Sequence, residues 1–365
     1  MNRAAFSPSR RFLPMLFLVT VALSSALAAT LDAETLIVAN KSEASVSLLD
    51  LNTGAVAVTL PTGEGPHEVA VSPDGTIAVV TDYGVRGAPG SSLTVVDVPN
   101  GRVTKTIDLD GYKRPHGILF VAPERVIVTA EDNRALIEVD LGTGEVLRVI
   151  STAQRLSHMV AATADGKRAF VANIGSGTAT AIDLERGEVL RHIETGEGAE
   201  GVAVTPDGSR LYVTNRAEDT VSVIDVESLK VIKTLKSEGF PIRATATPDG
   251  SAILVSNARA GTLSVINTET ETVVRTIDLP LTALDTEGRL FGDAFGDSSV
   301  PIGILVLPDS KTAYVAHTNA DQISVVDLTR GERVGHLVAG KEPDGMAYSP
   351  LVVKPVPSVT PPPEG

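Results

Sequence analysis

The chain has 365 residues, a formal net charge of −14, 4% aromatic residues and neither cysteine nor tryptophan. Without cysteine it has no disulfide framework, no thiolate metal site and no cysteine nucleophile. So acidic a surface repels phosphate backbones and anionic headgroups over about a Debye length, which disfavours nucleic acid and membrane surfaces as partners.

The N-terminus reads as an export signal over residues 1–29. Arg3, Arg10 and Arg11 form a basic region, Phe12 to Leu27 is apolar, and Ala26-Leu27-Ala28 supplies a small-x-small cleavage pattern. The competing reading is a membrane anchor. Pro14, Thr20, Ser24 and Ser25 interrupt the apolar run, which is shorter than a spanning helix needs. No later segment is suited to crossing a membrane. The expected location is therefore periplasmic or extracellular, and removing 1–29 deletes three arginines and no acid.

From residue 35 onward one phrase recurs, a strand ending in Asp followed by a turn. It ends at Asp50, Asp97, Asp140, Asp183, Asp225, Asn267 and Asp327, at intervals of 47, 43, 43, 42, 42 and 60 residues. Between these anchors lie short alternating apolar runs closed by Gly, Pro, Asp or Asn, the pattern of short strands and tight turns. The PDG triplets at 73–75, 206–208 and 248–250 are hairpin turns in which Gly takes the positive-φ place. Four strands per repeat of this length is a propeller blade.

Innermost strands are expected to open at His67, His116, His158, Glu200, Ile242, Ile302 and Asp344. The N-terminal segment supplies three strands without an innermost one, and the C-terminal segment supplies an innermost strand with nothing after it. The fold predicted is all-β: a seven-bladed β-propeller of four-stranded blades over 30–350, its ring closed by the C-terminal innermost strand joining the N-terminal strands. A stretch of about 18 extra residues within 279–299 breaks the rhythm, and a Pro-rich tail at 351–365 is expected to be unstructured.

The LYVTN of 211–215, followed by DTVSVIDV, resembles the YVTN-repeat, YncE-like family of secreted seven-bladed propellers, over about 40–350. The resemblance implies fold more than function, because propellers of this kind include surface-layer modules, binding proteins and enzymes. Some seven-bladed propellers are lactonases, which keeps an enzyme, lactonase-like or a metal-dependent hydrolase, as the alternative to a binding protein. It assigns no position here.

The starts of the innermost strands and the ends of the next strands share one rim, so their residues surround the central mouth. Three of the six histidines, His67, His116 and His158, hold equivalent places in consecutive blades, and a fourth, His317, is expected on the same rim. His67, His116 and His158 are the candidate ligands of a transition metal such as Zn or Cu. Glu131, Glu200, Arg216, Arg243, His317 and Asp344 are the candidates for binding a small polar ligand or a protein partner, the arginines as clamps for carboxylate or phosphate. The plain alternative is duplication of a residue tolerated at a wet mouth, with the arginines in interstrand ion pairs. The insertion should project from this rim, with Phe291 and Phe295 packed over the opening and Asp285, Glu287, Asp293 and Asp297 outward, as a lid or docking loop.

Overall fold

A computed structural model describes residues 34–354, apart from 283, 285, 286, 288 and 290. The segment 1–29 read as an export signal, the tail beyond 354 and Asp285 lie outside the described residues. These form seven four-stranded antiparallel sheets in a ring. Blade 1 is composite: Thr35–Asn40, Ser45–Asp50 and Val56–Pro61 are completed by Pro343–Ser349, which pairs antiparallel with Thr35–Asn40. The remaining innermost strands, in blades 2 to 7, are Pro66–Val71, Pro115–Ala122, Ser157–Ala162, Ala199–Val204, Pro241–Ala246 and Pro301–Val306. Among the described residues no helix is long and apolar enough to cross a membrane.

The repeated Asp is explained by its side chain. Its Oδ1 accepts the backbone N–H three residues on, from Thr53 (3.1 Å), Asn100 (3.2 Å), Thr143 (2.8 Å), Arg186 (2.9 Å), Ser228 (2.8 Å) and Arg330 (2.9 Å). Asn267 does the same for Thr270 at 2.8 Å, since only an acceptor is needed. Each third strand is thereby tied to the turn that begins the fourth.

The first three strands of each blade are largely buried on both faces, so they read as apolar runs with small residues, while the fourth is half-exposed. In blade 1, Leu36 and Val38 pack towards blade 7, while Ile37 and Ala39 pack towards blade 2. One such apolar layer fills each of the seven blade interfaces. A further cluster lies at the mouth, where Phe240, Phe291 and Phe295 cover Ile242, Ala258, Val300 and Ile302.

Close approach at the axis is set by the residue after each mouth position. It is Gly117, Gly201, Gly303 and Gly345 in four blades. A Cβ on these would sit 2.0 to 2.7 Å from backbone of the next blade's innermost strand. Glu68, Met159 and Arg243 hold the same place in the other three blades.

Candidate functional site

All seven expected mouth residues are the second residue of their innermost strand, which fixes them at one height around the axis. His67, His116 and His158 form a continuous stack, with ring centroids 4.6 Å apart for the first pair and 3.6 Å for the second. Tyr83 meets His67 and His116 edge-on, at 4.5 and 5.5 Å.

The charged members interlock. His67 Nδ1 lies 2.7 Å from Asp344 Oδ2. His158 Nδ1 is hydrogen-bonded to Glu131, and its Nε2 lies 3.2 Å from Glu200 Oε1. Arg216 donates to Glu200 Oε2, and Arg243 donates to Glu200 Oε1 at 3.2 Å. Arg243 also donates to Glu68 Oε1 at 2.8 Å, an ion pair joining blades 6 and 2. Tyr83 donates to Glu131 Oε2 at 2.6 Å.

This environment divides the histidines. Burial pushes His67 down to about 4, Lys41 adds to this, and Asp344 only partly opposes it. Burial, reinforced by the neighbouring cations, holds His116 well below its ordinary value. Burial would depress His158 too, but the charges and hydrogen bonds of Glu131 and Glu200 outweigh it and raise the group. Burial likewise opposes ionisation of Glu200, yet His158, Arg216 and Arg243 bring it down to about 2. The mouth is thus an ionised network with two neutral imidazoles on one side.

Register explains which expected residues meet there. The ends of the second strands that pair with the innermost strands' first residues are Asn40, Asp82, Ala130, Asn173, Asn215, Asn257 and His317. These side chains point into their own blades. Asn215 Nδ2 donates to Thr220 Oγ1 and Ser222 Oγ, both at 3.0 Å. His317 plays the same part: its Nε2 is 2.8 Å from Ser324 Oγ and its Nδ1 is 2.8 Å from Ser299 Oγ. His317 is therefore corrected from a mouth residue to a buried structural one, satisfied at both nitrogens and absent from the lining.

One residue further on is the true second ring, which holds Lys41, Tyr83, Glu131, Arg216 and Thr318 among others. Glu131 and Arg216 belong to it as expected. Lys41 and Tyr83 occupy the same repeat place and were missed, although counting one residue past each second strand finds them. Glu68 was missed as well, and its signal is that a glutamate stands where four blades carry glycine.

Above this network opens a cavity of about 870 Å³. Its lining includes His67, His116, His158, Glu200, Arg216, Arg243 and Asp344 from the expected set. Arg86, Arg114, Arg289, Lys41, Tyr83 and Phe291 also line it, together with the acidic Glu64 and Glu342. Arg86 tips a hairpin made of two long strands, Ile77–Val85 and Ala88–Asp97, that rises from blade 2. Arg114 lies with its guanidinium carbon 4.9 Å from the Tyr83 ring centre. The insertion reaches the same rim. Phe295 and Phe291 stack with centroids 4.9 Å apart against Phe240, while Glu287, Asp293 and Asp297 face outward. Arg289 pins the loop by a two-pronged pair with Asp321, at 2.6 and 2.8 Å.

Fold and site together define a closed seven-bladed propeller with a deep, ionised recess at one end of its axis. Residues 121–288 match the model of the YNCE-like beta-propeller family, which bears out the YncE-like resemblance carried by the repeat. No curated protein matches the chain in sequence. Among solved structures, Kuenenia stuttgartiensis hydrazine synthase is 19% identical with a TM-score of 0.63, over 77% of this chain and 88% of that one. A functionally unknown protein from Desulfotomaculum acetoxidans DSM 771 is 14% identical with a TM-score of 0.71, over 88% of this chain and 99% of that one. At such identities the likeness is one of fold.

Proposed function

We propose that this propeller is an exported binding protein whose mouth takes a small organic anion, a carboxylate or a phosphate ester. The observation that carries the reading is a cationic rim on an acidic chain. Arg86 and Arg114, beside Glu64 and Glu342, line a recess of about 870 Å³ in a protein of formal charge −14. A guanidinium donates to two anionic oxygens at once, and a partly enclosed recess strengthens the contact relative to open solvent. Arg114 lies over the Tyr83 ring with only long contacts, 3.6 Å to Asp132 and 3.5 Å to the Val85 carbonyl, which a ligand's oxygens can replace. Phe291 and Tyr83 offer apolar wall for the rest of a small molecule.

Export is part of the proposal and rests on the basic and apolar N-terminus with its Ala26-Leu27-Ala28 site. The negative overall charge supports a small molecule over nucleic acid as the partner.

A thermal-unfolding screen against small mono- and dicarboxylates and sugar phosphates, on the wild type and the Arg86→Ala/Arg114→Ala variant, tests the reading. Saturable stabilisation that weakens with added salt and falls at least about tenfold in apparent affinity in the variant is expected. A screen with no hits, or hits that bind both proteins equally, would sink it.

A further inference from the structure

Beneath the proposed anion pocket, blades 3 and 4 bring together three donors of a different kind. His116 and His158 come from adjacent innermost strands, and Glu131 follows the second strand of blade 3. One ligand atom from each lies within 4.8 Å of the other two, and all three side chains are buried. One further observation points to a ligand. His116 Nδ1 is a buried nitrogen without a hydrogen-bond partner. Such an atom is costly to leave unsatisfied.

We propose that His116, His158 and Glu131 form a site for a divalent transition metal, with coordination positions left open towards the mouth. Two imidazoles and one carboxylate suit zinc, iron, cobalt, nickel or copper, whereas calcium and magnesium require a shell of oxygens. Three protein ligands leave room for water or for an anion bound above.

The surroundings are those of a supported site. Tyr83 fixes the far oxygen of Glu131 at 2.6 Å. Glu200, anchored by Arg216 and Arg243, stands behind His158. Hydrogen-bonded neighbours of this sort orient ligands and raise affinity. To admit the metal, Glu131 exchanges its hydrogen bond to His158 for a metal bond, and the shared proton leaves to solvent. His67 is committed to Asp344 and stacks on His116, which makes it wall rather than ligand.

The test uses the purified, chelator-treated protein with no organic anion present. Equilibrium dialysis with metal analysis, and visible absorption on adding Co²⁺, report binding directly. One tightly held equivalent of Zn²⁺ or Co²⁺, with Co²⁺ bands of a low-coordinate site, is expected. Glu131→Gln and His116→Ala should each weaken it by more than about tenfold, as should loss of a second ligand through His158→Ala. His67→Ala should change it no more than about threefold. Glu131→Gln retains hydrogen-bonding atoms for Tyr83 and His158, so a folded variant is available even if the His variants unfold. Arg114→Ala should bind the metal unchanged, which separates this inference from the anion reading. Absence of a tight equivalent, or one that persists in folded Glu131→Gln, overturns the proposal.

Discussion

Asp82 stands where other blades place Asn40, Asn173, Asn215 and Asn257, at the buried end of a second strand. Burial raises its carboxyl to about 6, against hydrogen bonds from Ser92, Thr94 and the Gly63 backbone N–H. In the unfolded chain the group titrates near its ordinary value, close to 4. Below that pH it is protonated in both states and costs nothing. As pH rises from about 4 to about 6 the unfolded chain ionises first, so stability falls and stays reduced above 6. Asp82→Asn should therefore stabilise the protein by about 1–3 kcal/mol at pH 7 and by little at pH 4, read from urea unfolding at both. The Asn amide can donate to Ser92 and Thr94 as Asn215 does to Thr220 and Ser222. A variant less stable than the wild type at pH 7 would contradict this. The same position shows where residue-level reading slipped. Chemistry alone made His317 resemble His67, but a shift of one residue along a strand turns a side chain to the other face. The register came from pairing, which one sequence does not display.

Elements were more legible than residues because a strand's start is punctuated. All seven innermost strands were placed by counting repeats, and in the structure each begins Pro, Ser or Ala followed by the mouth residue. The next residue is a packing device. At Gly303 a Cβ would lie 2.0 Å from the carbonyl oxygen of Asp344 in blade 1. Gly303→Ala must push two innermost strands apart and should cost about 1–3 kcal/mol in chemical unfolding, as overpacking at a rigid contact does. A cost below about 0.5 kcal/mol would mean that the axis is looser than this packing implies. The long hairpin of blade 2 was visible only as a 47-residue interval where 42 is usual, and its functional consequence, Arg86 at the rim, had no local signature. The insertion was easier, since aromatic residues are scarce in this chain and Phe291 and Phe295 had to find shelter. They found it on Phe240 and Ile302.

At the scale of the molecule, ring closure and site are one feature. The composite blade carries Asp344 on its late strand and Lys41 beside its early one, so the mouth is complete only when both ends of the propeller meet. Removing residues 343–365 would delete Asp344, uncover the edge of Thr35–Asn40 and open two apolar interfaces. The truncated protein should lose its single cooperative unfolding transition and aggregate, as seen by scattering during thermal unfolding. A soluble truncation that unfolds like the full chain would show that closure adds no stability. Closure could be read from the sequence because the two ends are complementary; what the mouth receives could not, because the recess is lined by side chains from all seven blades whose convergence only the ring creates.

The central claim, that this mouth and not another surface is where the protein binds, is tested most directly by calorimetric titration of the best anion from the ligand screen. Wild type, Arg114→Ala and Lys311→Ala would be compared, Lys311 being an exposed cation in a turn on the opposite rim. Affinity reduced about tenfold or more in Arg114→Ala and unchanged in Lys311→Ala is the predicted result. Equal binding by Arg114→Ala, or a loss confined to Lys311→Ala, would contradict the account.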